Sequence, residues 1–422
     1  MMARRVAAAW AALILAASAA APASATETSY AALFDQVWKA VDENFYDPGF
    51  HGADWRTIGD RYRARVGAVH DDAGFSRLAN AMLDELHVSH LYLSRPPRDA
   101  VQGGVGIAAR TELIDGRRVV VEVAPLSDAQ RQGLRVGDRL ASAAAPLSAP
   151  LGAATTLAVT GCDGRRRSLT VRHEGAFWPP QHPAFEWRQI AVGPKLTLGY
   201  LRIGRFDDGA AALADQAMAE LKVADGLVID VRGNSGGNLS GLRLVSYVAG
   251  DSRPVVALLA RPYLKALGRP VAKPDLDKLP PTHGAYTDAA VFAAVQAGQG
   301  AALYATEDLG PSRYRGKVVV VTDRETASAG EGFAKMMRQF GGATLVGRPT
   351  AGLLLSSDRF PLPDGWVLTV PVQGVWGADG RDYGDQATAP DVVVPRTAAD
   401  LCRADDPDLA KAEEVLRGKL GR

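Results

Sequence analysis

A serine set among small residues, between a buried strand and a helix, is a place where a hydroxyl can act as a nucleophile. Ser328 is such a residue, in the stretch VVVVTDRETASAGEGFAKMMRQF (318–340). The valine run predicts a buried strand. Phe333, Met336, Met337 and Phe340 recur at i, i+3, i+4 and i+7 and predict a helix. Ser328 then stands at the carboxyl end of a strand, where ligands approach an α/β sheet. The unpaired N–H groups and positive dipole end of the helix suit a developing oxyanion. Ala327, Ala329 and Gly330 leave room for a substrate. The plainer role for this serine is a helix N-cap.

Two other stretches carry chemistry. GLVIDVRGNSGGN (226–238) is a strand running into a Gly-rich turn. It lacks both the Lys-Ser/Thr ending of a Walker loop and the spacing of a dinucleotide fingerprint. Gly236 and Gly237 are candidates to expose backbone N–H groups, and an ordinary turn is the alternative. In LDELHVSHLYL (83–93), His90 follows Ser89. A histidine titrates near neutrality and is the natural base for a serine hydroxyl. His87 competes for that role.

The elements that must position these residues follow from periodicity. Phe34, Val37, Trp38, Val41 and Phe45 lie on one face of a predicted helix, and similar patterns extend a helical region over 26–97. Residues 98–175 hold a Gly-rich opening, a predicted strand pair around Asp115–Gly116, a short helix, and the strand LTVRH ending at His173. A Pro-rich, aromatic stretch, 176–194, reads as a linker. Strands and helices alternate over 195–400, which predicts an α/β core with both sheet faces covered. About 260–316 is less regular and reads as an insertion bordering a cleft. A final helix is expected in 401–422.

The chain has 422 residues, enough for two or three domains, and 47% of them are hydrophobic. A net charge of +1 with both signs interspersed gives no support to a nucleic-acid partner. Arg4 and Arg5, the apolar run Val6 to Ala20 and Ala23-Ser24-Ala25 read as an export signal cleaved near Ala25. The mature product would then reach a periplasm or the medium. Export implies an oxidising compartment, yet Cys162 and Cys402 are the only cysteines. They pair or remain two separate thiols, and their spacing excludes a zinc knuckle built from cysteines alone.

Taken in order, ELxxSH, a β unit with GVGI, DVRGNSGG, TASAGE and GRPTAG resemble the C-terminal processing peptidase and tricorn-core family of serine peptidases. The resemblance spans nearly the whole chain after the export signal. It implies a ClpP/crotonase-like α/β core, an N-terminal helical region and an inserted PDZ-like β domain. In that domain Gly104, Val105, Gly106 and Ile107 would capture a peptide carboxylate while the peptide adds as a strand. One branch of the family uses a Ser–Lys dyad. Here Leu353, in GRPTAGLLLSS, stands where that lysine would fall. The tricorn-like branch uses Ser–His. By that resemblance Ser328 is the nucleophile, His90 the base, and Ser89 the group that fixes the imidazole. The N–H groups of Ala329 and of Gly236 or Gly237 would form the oxyanion hole. Relatives also supply a glutamate, but in DGRDYGDQATAPD (379–391) Gly384 occupies its place. Asp385 lies beside it and Asp382 two residues before, and either is a candidate substitute. Loss of a triad's acid costs about 10⁴ in rate.

The expectation is an exported peptidase that cleaves peptide bonds through an acyl-enzyme, needs no metal or cofactor, and has peptides or proteins as partners. The alternative is a catalytically impaired protein binding a peptide or apolar ligand on the same scaffold. A third reading is an envelope scaffold acting through residues 103–172 alone. Substrate and oligomeric state leave no mark in the sequence.

Overall fold

The computed structural model describes residues 29–95, 105–142, 147–178, 184–192 and 196–421. The export-signal stretch and Gly104 lie outside the described residues. Three helices, Tyr30–Asn44, Trp55–Arg63 and Asp72–Leu83, open the described chain. Ser29, Asp54 and Asp71 cap them by accepting from Ala32, Thr57 and Gly74 N–H groups, each such cap contributing about 1 kcal/mol. Phe34, Val37, Val41 and Phe45 are buried as their spacing predicts.

Two large sheets follow. The first runs, in spatial order, Val392–Val393, Thr344–Gly347, Lys317–Thr322, Gly226–Asp230, Thr197–Ile203 and Phe185–Ala191. It is parallel except for the last pair. The segment expected to be a linker therefore holds a strand. Its prolines end before residue 184, and the edge place it takes demands little of the sequence. The second sheet is mixed. Val367–Gly377 is flanked by Pro254–Ala260, by Tyr92–Ser94 and by Ser356–Pro361, all antiparallel to it. Ala301–Ala305 continues the sheet beyond Pro254–Ala260.

Alternation along these strands stacks five layers. In the first sheet Val318 and Val320 face the helices Ala210–Leu221, Leu242–Ala249 and Ala329–Gly341. Val319 and Val321 face the C-terminal helix Pro407–Lys419 through Ala412 and Leu416. In the second sheet Val256 and Leu258 pack on that same central helical layer. Ala257 and Leu259 pack on the N-terminal helices. Continuous apolar strands are what burial of both faces requires. The stretch expected to be an insertion thus supplies Ala301–Ala305 to a sheet and the helix Asp288–Ala297 to its surface.

The strands Ala109–Ile114, Arg117–Val123, Arg139–Leu140, Ala154–Thr160 and Arg166–Arg172 form a separate antiparallel sheet with its own core of Ile107, Val120, Leu157 and Val171. Two ties join it to the C-terminal segment: the Cys162–Cys402 disulfide and an Arg396–Glu112 ion pair at 2.8 Å. Among the described residues no helix is long and apolar enough to cross a membrane.

Candidate active site

Ser328 immediately precedes the helix Ala329–Gly341, yet its side chain makes no capping bond. Its backbone, at φ 51° and ψ −125°, is in a region that L-residues seldom occupy and that costs on the order of 1–3 kcal/mol. Hydrogen bonds hold it there. The Ser328 N–H donates to the Leu353 carbonyl at 2.9 Å, and the Ser328 carbonyl accepts from Gly332 at 2.9 Å. The neighbouring Ala327 N–H donates to the Asn234 carbonyl at 2.9 Å. The hydroxyl is left free of the helix and lines a cavity of about 160 Å³.

The Gly-rich turn packs against this serine. A Cβ on Gly236 would lie 2.6 Å from Ser328 Cβ, and one on Gly237 only 1.6 Å from the Phe206 carbonyl oxygen. Both glycines have positive φ, 108° and 131°, so the turn needs them on two counts. The Gly236 N–H is already given to Asn234 Oδ1 at 2.8 Å, which removes it from the expected oxyanion donors. Among the described residues the N–H groups of Gly237 and Ala329 have no acceptor. Two donors beside a free hydroxyl suit the oxygen of a tetrahedral intermediate.

His90 reaches the same cavity from the other side. The strand Tyr92–Ser94 pairs with Val367–Thr369, so the helical region delivers its last turn into the second sheet. His90 Nδ1 bonds Ser89 Oγ at 2.8 Å, and no described residue holds Nε2. Burial pushes the imidazole below the ordinary histidine range, and the Asp385 carboxylate opposes that shift. His87 is exposed, closes a short 3₁₀ turn and lines no part of this cavity.

The carboxylates separate. Asp385 Oδ2 accepts from the Ser89 N–H at 2.8 Å. Asp382 instead accepts from Gly384 N–H and borders a different crevice with Tyr46, Asp47 and His51. Leu353, in the place of a dyad lysine, contributes its carbonyl and is 44% exposed as a residue. Val256, Leu258, Phe292, Met336 and Val375 give the cavity an apolar wall, and Asn238, Asp288, Ser356 and Ser357 add polar groups to its lining. In the small β unit Val105 and Gly106 pair with Ala149 and Ser148, and Ile107 is buried. None of the three lines the Ser328 cavity.

Residues 197–394 match the model of peptidase family S41, and residues 26–84 match the tricorn protease C1 domain. The chain carries a peptidase family S41 domain over residues 197–394. This is a family of serine peptidases, and its model covers the two strand-to-helix turns that hold Ser328 and Gly237. A chloroplastic C-terminal processing peptidase of Tetradesmus obliquus is 26% identical over 93% of this chain and 84% of its own length. Tricorn protease homolog 1 of Streptomyces coelicolor is 26% identical over 90% of this chain. The chain spans only 31% and 34% of the two Streptomyces coelicolor tricorn homologs it matches. Among solved structures, the photosystem II D1 C-terminal processing protease shares the fold at TM-score 0.53 and 21% identity, covering 92% of this chain and 97% of its own. Mature CPAF does so at TM-score 0.62 and 14% identity, covering 93% and 96%.

Two residues at the site were not singled out from the sequence. Asn234, fully buried, joins the Gly-rich turn to the serine turn through Gly236 N–H and Ala327 N–H. Glu331, also fully buried, accepts from Gly352 and Leu353 N–H groups. An asparagine in a turn and a glutamate in a helix's first turn are common, so neither pattern by itself marks a site. Arg232 of the same Gly-rich motif is structural. It binds Asp230, Asp406 and Asp408 and fastens the C-terminal helix.

Proposed function

We propose that this chain hydrolyses peptide bonds through an acyl-enzyme on Ser328, with His90 as general base. The observation that carries the reading is the free Ser328 hydroxyl and an imidazole with its Nδ1 occupied, both lining one cavity. Ser328 Oγ attacks the scissile carbonyl carbon as its proton passes to His90 Nε2. The carbonyl oxygen takes the negative charge and is met by the Gly237 and Ala329 N–H groups. The C–N bond then breaks, and His90 returns the proton to the leaving amine. Water, deprotonated by the same imidazole, releases the acid and restores the serine. The Ser89 hydroxyl fixes the ring, and Asp385 steadies Ser89 through its backbone and raises the basicity of His90. The apolar wall beside Ser328 favours an apolar side chain on the acyl side of the cut bond.

The five-stranded unit is the PDZ-like domain of this reading, with Val105 to Ile107, which lead into its first strand, as the segment a substrate C-terminus would meet. The names of the relatives, which include C-terminal processing peptidases, support that substrate class. Export fits the Cys162–Cys402 disulfide, a bond that persists in oxidising compartments.

A fluorophosphonate probe tests the mechanism. Wild type should be labelled, and Ser328→Ala and His90→Ala should not. Equal labelling of all three would overturn the assignment. One observation favours the binding-protein alternative: Asp385 reaches the Ser89 amide, not the imidazole. That reading predicts tight apolar peptide binding with no labelling of wild type.

A further inference from the structure

Ser328 and His90 belong to different sheets, so something must hold the turn of one in register with the turn of the other. Glu331 sits on the first turn of the helix Ala329–Gly341 and is fully buried. Its Oε2 accepts from Gly352 N–H at 2.9 Å and Leu353 N–H at 3.1 Å. The Leu353 carbonyl in turn takes the Ser328 N–H. The other oxygen, Oε1, is buried without a hydrogen bond and faces Lys335 Nζ at 3.4 Å, one helical turn on.

Lys335 is itself mostly covered, with 13% of its side chain exposed. Burial pulls the ammonium below the ordinary lysine range. It spends a hydrogen bond of 2.7 Å on the Gln386 carbonyl and lies against the Tyr383 ring. Arg338, on the same helix, is the other charge acting on it. Gln386 directly follows Asp385, which has φ 45° and holds Ser89, which holds His90. An exposed pair at this helical spacing would only decorate the surface. Here each member of a buried pair grips a different loop.

We propose that the Glu331–Lys335 pair is a positioning clamp that sets the Gly352–Leu353 turn, which holds Ser328, against the acid loop (383–386), and through them Ser328 against His90. The inference rests on the Ser328–His90 reading above. Glu331 and Lys335 touch no reacting atom. They act through Leu353 and through Asp385. The charged groups near His90 are Asp385 on this loop and, across the cavity, Asp288 at the start of the helix Asp288–Ala297. Only the first moves when the clamp opens.

The test uses the full chain and a fluorogenic peptide with an apolar residue before the cut bond. Two variants are compared with wild type and with Asp385→Asn. Lys335→Met strands a buried carboxylate and risks poor folding. Glu331→Gln/Lys335→Met removes both charges and is expected to fold. Both variants should lose up to about 100-fold in kcat, with KM within about twofold. The acid limb of kcat/KM should move to lower pH, because His90 loses the carboxylate that opposes its burial. Adding Asp385→Asn to either should shift that limb no further. A lowered melting temperature with an unmoved acid limb, or wild-type kcat in the folded double variant, overturns the clamp. Failure of the underlying reading looks different: Ser328→Ala would then retain wild-type labelling.

Discussion

The turn that carries Ser328 and the turn that carries His90 are held by different means. The serine turn is built from backbone: three main-chain hydrogen bonds around Ala327, Ser328 and Gly332, and two glycines whose Cβ positions are occupied by Ser328 and Phe206. The histidine turn is built from side chains. Ser89 Oγ bonds the ring, and an aspartate from a loop almost three hundred residues on secures the Ser89 amide. Backbone contacts are fixed once the strands and helix form. Side-chain contacts depend on a second loop arriving at the right place. The first half is therefore rigid and intolerant of added atoms, and the second is adjustable and carries the control of basicity.

Substitutions on the two sides should differ accordingly. Ser328→Ala and His90→Ala come first, each expected to lose about 10⁶ in kcat, with the double variant no worse than either alone. Additive losses in steady-state kinetics would show that the two do not act as a unit. Gly237→Ala strikes the backbone-built side. Its Cβ cannot fit beside Phe206, so the turn must move and carry an oxyanion donor with it. A fall of about 10²–10³ in kcat is expected, and wild-type kcat would mean that Gly237 donates nothing.

Asp385→Asn strikes the adjustable side and should cost about tenfold to 100-fold. That is less than the about 10⁴ lost when a carboxylate bonds the imidazole directly. Its pH profile matters more than its rate. His90 must be neutral to act, and burial already lowers its pKa, so the acid limb of wild-type kcat/KM should fall below about pH 6.5. Removing Asp385 should lower it again, whereas a rise would mean that another group sets the limb. Leu353→Ala should do least, because the carbonyl and not the side chain holds Ser328. Activity should stay near wild type and stability within about 0.5 kcal/mol by thermal melting.

Legibility in the sequence follows the same division. Valine runs and the Phe333–Phe340 spacing gave Ser328 its strand, turn and helix, because a backbone-built site is written in local pattern. The strand Phe185–Ala191 was hidden, since an edge strand needs neither strong alternation nor full burial. The strand Ala301–Ala305 was hidden behind the prolines of its flanking segments. On the histidine side, residue type pointed to His90 but could not place it, because the pairing of Tyr92–Ser94 with Val367–Thr369 is a contact across most of the chain. Asp385 over Asp382 was undecidable for the same reason. Three positions along one loop separate a carboxylate that meets Ser89 from one that faces Tyr46 and His51.

The bond between Cys162 and Cys402 closes a covalent ring whose ends are separated by 240 positions in sequence. Gly237 and Ser328 both lie inside that ring, and His90 lies outside it. A single nick anywhere along the ring, by another peptidase or by a second copy of this one, would leave both pieces attached. Such a molecule would migrate as one band until a thiol is added and as two afterwards.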